Sequence, residues 1–99
     1  MSREKLGSKD IEDRLQGLQD WTLVDEGLAI RKIFKFANFV QAFGFMTECA
    51  LRAEKIDHHP EWSNVYRTVE VKLTTHSAKG LTELDFDLAA FMDKSASRH

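Results

Sequence analysis

The residues best equipped for chemistry lie in one short run, Glu54-Lys55-Ile56-Asp57-His58-His59-Pro60-Glu61-Trp62-Ser63-Asn64-Val65-Tyr66, which holds two of the four histidines. Histidine is the side chain whose unperturbed pKa, about 6.5, lets it both give and take a proton near neutrality. The chemistry on offer is therefore proton transfer, with Asp57 able to orient one ring. Adjacent histidines do not readily share one metal ion, because neighbouring side chains point to opposite faces on a strand and diverge on a helix. They serve two environments instead. Pro60, the only proline, fixes its own φ and drives His59 toward extended backbone, so a stiff connection is expected here rather than a helix interior. His76 follows at the end of the last expected strand. A hairpin returns its second strand beside its first, so His76 can reach the His58-His59 loop and three imidazoles can line one cleft. Three histidines can also hold zinc, but one of the adjacent pair would have to be spared, and no metal is expected.

The elements that must position these rings have to come from 99 residues, one domain's worth. At that length a folded chain buries somewhat over ~60% of its unfolded surface. Seven phenylalanines and two tryptophans supply apolar area, and 30% charged residues with a single proline argue against disorder. Fourteen basic against sixteen acidic residues give a net charge of −2 with no basic run, which excludes direct nucleic-acid binding as an expectation. Cys49 stands alone, so a buried thiol in a reducing compartment is the simplest reading. No run approaches the ~20 apolar residues of a membrane span, and the N-terminus lacks the apolar core of a signal peptide. Cytoplasm or nucleus is the expected location.

Residues 1–7 are charged and aperiodic and are expected to be loose. Ser8 reads as the cap of a first helix, with Ile11, Leu15 and Leu18 on one face. From Trp21 the period changes to two. Trp21 and Leu23, a turn at Asp25-Glu26-Gly27, then Leu28, Ile30, Phe34 and Phe36 predict a hairpin. Asn38 caps the next helix, in which Phe39, Phe43, Met46, Ala50 and Ala53 form the stripe expected to face the sheet. Ala42, Phe45 and Cys49 make a second apolar row, preferred as a surface for another subunit because so small a domain has few elements to cover both. Trp62 to Tyr66 and the alternating Val69, Val71 and Leu73 predict a second hairpin. Thr82 caps a last helix, with Asp85 in a capping box, Leu81 and Phe86 at staple positions, and Leu84, Leu88 and Phe91 on its apolar face. Residues 94–99 read as a polar tail. The expected fold is one α+β domain over 1–99, a four-stranded antiparallel sheet with three helices on one face, in the order α-β-β-α-β-β-α.

Asp57-His58-His59-Pro60-Glu61-Trp62, Asn64-Val65-Tyr66, Thr75-His76 and Gly80-Leu81-Thr82 with Asp85 resemble the pterin-4a-carbinolamine dehydratase family. Phe43-Gly44-Phe45-Met46 and Ala53-Glu54-Lys55 extend the match, which runs from about Trp21 to Met92. Arg67 stands where the family commonly has Asn, and Ser77 where an acidic residue is usual. The resemblance implies loss of water from 4a-hydroxytetrahydrobiopterin to give quinonoid dihydrobiopterin, with neither metal nor organic cofactor. It implies His58 and His76 as proton donors to the departing hydroxyl and His59 for binding and base assistance. Glu54 and Asp57 would orient the rings or meet the pterin's N–H groups, while Pro60 and the backbone of Thr75, Ser77 and Ala78 would border the ligand. Asp85 would either tether His76 or only cap its helix, and Trp21 would be either a pocket aromatic or core. Family members form homodimers and homotetramers, and animal members also bind the dimerisation segment of a homeodomain transcription factor, so both partners are carried as expectations.

Overall fold

Seven regular elements follow one another in a computed structural model that describes residues 2–99: α1 (Ser8–Gln16), β1 (Thr22–Val24), β2 (Ala29–Lys35), α2 (Phe39–Lys55), β3 (Glu61–Val65), β4 (Thr68–Leu73) and α3 (Glu83–Ala96). The order is the expected α-β-β-α-β-β-α, and the strands form one antiparallel sheet ordered β1-β2-β4-β3. Register follows the period-two pattern. Pairing Ile30 with Leu73, Phe34 with Val69 and Trp62 with Val71 turns these side chains to one face. That face and the buried residues of all three helices make a single core. No helix among the described residues is long and apolar enough to cross a membrane.

Asn38 caps α2 as expected, its side chain accepting from the Gln41 N–H at 2.9 Å. Losing such a cap costs about 1 kcal/mol, so Asn38→Ala should lower stability by that amount in a denaturant titration with an unchanged slope. Thr82 and Asp85 form the expected capping box of α3, and Leu81 and Phe86 are buried beside it. At α1 the expectation fails by one residue. Gly7, not Ser8, is the N-cap, with extended backbone and a carbonyl that accepts from the Ile11 N–H at 3.0 Å, and no side chain caps the helix. α3 also runs past Lys94, because Ser95 is buried and its hydroxyl donates to Glu48 of α2.

The two apolar rows of α2 are exchanged relative to the sequence reading except at Ala53, which is buried, and Met46, which packs against the core, both as expected. Ala42, Phe45, Cys49 and Ala53 face the core, whereas Phe39, Phe43 and Ala50 are exposed. The reason is close packing. α2 lies against both β4 and α3, and Ala42, Cys49 and Ala53 are small enough to let both approach. Phe45 fills the remaining space, its ring 4.7 Å from that of Phe34 and 4.9 Å from that of Phe36. Burial pushes the Cys49 thiol up to about 12. A thiolate is the reactive form, so Cys49 should resist iodoacetamide at pH 8 in the native protein and react once the chain is unfolded, as mass spectrometry would record.

Candidate active site

The turn after α2 is built by its backbone. The Asp57 N–H donates to the Glu54 carbonyl at 3.2 Å and the His58 N–H to the Ala53 carbonyl at 3.0 Å, with Asp57 left-handed at φ 53°. This is a Schellman ending, which needs a left-handed residue just past the helix, a conformation Asp tolerates better than most. The turn sends His58 inward and leaves His59 outside. Pro60 then leads straight into β3, which opens with Glu61. On the other side, β4 runs on to a tight loop closed by Thr75 and Gly80, which exchange backbone hydrogen bonds at 2.9 and 3.4 Å. His76, Ser77 and Ala78 form its single 3-10 turn.

Each of the three rings meets its own carboxylate. His58, 6% exposed, lies with Nε2 2.6 Å from Asp85 Oδ1. His59 Nε2 is 2.8 Å from Glu54 Oε1, and His76 Nε2 is 3.1 Å from Glu61 Oε2, both pairs open to solvent. Asp85 is sealed from solvent, and its Oδ2 accepts from the Thr75 hydroxyl at 2.8 Å and the Thr82 N–H at 3.0 Å. With Oδ2 so occupied by donors, Asp85 acts as an acceptor at Oδ1 also, so His58 donates its Nε2–H. His58 Nδ1 has no hydrogen-bond partner among the described residues and is not a sealed atom, which makes it the end available to water or a ligand.

Asp85 therefore both caps α3 and tethers a histidine, but the histidine is His58 rather than His76. His76 pairs instead with Glu61, a residue the sequence reading passed over. Its signal was its place at the start of β3, opposite Lys72 near the end of the strand that leads to His76. Asp57 orients no ring: its side chain is 88% exposed, and its nearest charged partner is Arg3. Glu54, Thr75 and Asp85 hold polar contacts of this region, Pro60 and Ala78 are half-buried, and Ser77 is exposed. Trp21 is not brought to the rings. It packs edge-on to Phe34 and donates Nε1–H to Asp93 at 3.0 Å, eight residues along α3 from Asp85, or about 12 Å of helix.

A cavity of about 330 Å³ adjoins His76 and is lined also by Glu61, Lys72 and Lys79. A larger one, about 740 Å³, lies between α1 and the β1–β2 turn and has none of the three histidines in its wall. The larger cavity is lined by Lys5, Glu12 and Glu26 but by no histidine, and the smaller by His76 without His58 or His59. Among the described residues, no group of three or more His, Cys, Asp or Glu could hold a metal ion.

A four-stranded antiparallel sheet backed by three helices, with loops that set imidazoles against carboxylates, defines a small α+β domain. The chain belongs to the pterin 4 alpha carbinolamine dehydratase family, whose model matches residues 4–95. It is 59% identical over 98 residues to a protein of Rhizobium leguminosarum bv. trifolii (strain WSM2304), covering 99% of this chain and 97% of that one. A protein of Chelativorans sp. (strain BNC1) is 57% identical, with 99% and 100% covered. Both carry the provisional name pterin-4-alpha-carbinolamine dehydratase. Among solved structures, a transcriptional coactivator/pterin dehydratase from Brucella melitensis superposes with a TM-score of 0.91 at 47% identity, covering 94% of this chain and 99% of that one. A pterin dehydratase-like RuBisCO assembly factor of the alpha-carboxysome shares the fold, with a TM-score of 0.69 at 23% identity over 79% of this chain and 90% of that one.

Proposed function

We propose that this chain is a 4a-hydroxytetrahydrobiopterin dehydratase, which removes water to give quinonoid dihydrobiopterin and so returns the pterin to use in the cytoplasm. The C4a–O bond breaks as an imidazolium protonates the leaving hydroxyl. A neighbouring ring N–H gives its proton to a second imidazole, and its electron pair closes the C=N bond. Donor and acceptor of matched pKa contribute roughly 10²–10⁴ in rate. His58, through Nδ1, and His76 are the proposed donors, and His59 the binding and base group. Pro60, Ser77 and Ala78 border the pterin, with Glu54 and Asp57 near its N–H groups. Metal and organic cofactor have no part in the scheme.

The observation that carries this reading is the Asp85 bridge. One carboxylate accepts from the His58 ring and from the hydroxyl of Thr75, the residue immediately before His76, so the two histidine-bearing segments are joined through a single side chain. The test is ultraviolet-monitored dehydration of the carbinolamine with and without the protein. A rate no faster than the spontaneous one would end the proposal.

A second role is favoured by the outer row of α2, where Phe39, Val40, Phe43 and Leu51 are 46%, 77%, 54% and 70% exposed. Contiguous apolar surface of this kind marks association sites. We read it as the surface of a homodimer or homotetramer, or of a complex with a transcription-factor dimerisation segment, in place of the Ala42, Phe45 and Cys49 row. Phe43→Glu should shift the protein to a smaller species in light scattering while leaving the dehydration rate within about twofold, since the ring lies on α2 outside the proton-transfer groups. An unchanged mass would remove this row as the interface.

A further inference from the structure

We propose that residues 2–7 form a strap that holds the two histidine-bearing turns in fixed relation, with Arg3 the positioning residue for the His58-His59 turn. Its catalytic consequence rests on the dehydratase reading, but its geometry does not. Although aperiodic, the segment is fastened along its length. The Ser2 N–H donates to Glu83 at 3.3 Å, Arg3 Nη2 to the Asp57 carbonyl at 2.7 Å, and the Leu6 N–H to the Leu81 carbonyl at 2.8 Å. The Lys5 chain passes over Gly80 so closely that a Cβ there would meet Lys5 Cε at 2.7 Å. One end of the strap thus grips the turn before His58, and the other the loop after His76.

Chain reach makes this a constraint. Arg3 and Leu6 are three residues apart, at most about 11 Å of extended backbone plus the length of the arginine side chain, so the two turns cannot move apart beyond that reach without breaking a strap contact. Asp57 is a residue that needs holding. It is left-handed and its side chain is exposed, so its conformation rests on the Schellman bonds behind it and on Arg3 in front. The Arg3–Asp57 ion pair is exposed and long, 3.8 Å, and such pairs contribute little. The hydrogen bond to the Asp57 carbonyl is therefore the contact that matters. Arg3 touches none of the three rings, so it acts through the turn and not on the substrate.

Arg3→Ala and Arg3→Lys in the full chain separate positioning from general stability. In Arg3→Ala, amide exchange at His58 and His59 should quicken about tenfold while β2 and β4 keep their protection. In the same variant kcat/KM for dehydration should fall about tenfold, as expected of displaced catalytic groups, and the thermal midpoint should stay near wild type. Arg3→Lys keeps a donor of similar reach and should recover most of both. Unchanged exchange at His58 and His59, or quickening spread over the whole sheet, would overturn the strap. Locally faster exchange with undiminished kcat/KM in an active protein would overturn the positioning role. A wild type that catalyses no dehydration would instead refute the dehydratase reading, and the exchange measurements would still decide the strap.

Discussion

Asp85→Ala should cost at least about 3 kcal/mol of stability, because it strips the acceptor from several buried donors at once and each orphaned group costs about 1–3 kcal/mol. The His58 Nε2–H, the Thr75 hydroxyl and the Thr82 N–H all end on this carboxylate, which has no solvent exposure. Native domains hold only about 5–15 kcal/mol in total. For a chain of this size each kcal/mol moves the thermal midpoint by roughly 4–8 °C, so a fall of more than about 10 °C is expected in a calorimetric scan. A midpoint within a few degrees of wild type would mean that the carboxylate is not the hub it looks to be.

Asp85→Asn separates the hub's stability from its chemistry. Its amide oxygen can still accept from Thr75 and Thr82, but its NH2 group faces His58 and can only donate. The His58 ring must then accept at Nε2 and carry its single proton on Nδ1, so it is held neutral and the imidazolium proposed to protonate the leaving hydroxyl is disfavoured. The fold should survive with a smaller loss than in the alanine variant, while the pH profile of turnover changes shape.

His76→Ala should lower kcat by roughly 10²–10⁴, the range expected for loss of a general acid, and leave the melting temperature unchanged. The ring's side chain is 82% exposed, so little packing is lost with it. Its Glu61 partner sits in solvent and contributes little to folding. Kinetics and melting together decide the matter: turnover within a factor of about two of wild type would remove His76 from the proton path whatever the fold does.

Much of the scaffold was legible because its signals are local. Val69, Val71 and Leu73 alternate in sequence and are all buried in one face of the sheet. Asn38 and Thr82 announce the starts of α2 and α3 within a few residues of each. α2 was misread because both of its rows are apolar, and what decides between them is how closely β4 and α3 approach, a property of the small residues and not of the large rings. The candidate site was legible as a set of residue types, since His58, His59 and His76 stand out on sight. Its pairings were not. Asp85 and His58 are 27 positions apart and His76 and Glu61 are 15, and no local pattern says which acid meets which base. Asp57 misled for a related reason: a carboxylate beside two histidines suggests that it orients a ring, whereas what it does for the rings is shape, through its backbone, the turn that carries them.

The capping box of α3 carries one more implication. Because the same carboxylate starts the helix and grips the buried imidazole, α3 cannot fray at its first turn without releasing that ring. On the proposed dehydratase reading, placing that ring and starting the helix are one cooperative event, so warming should extinguish turnover along the same curve that unwinds the domain.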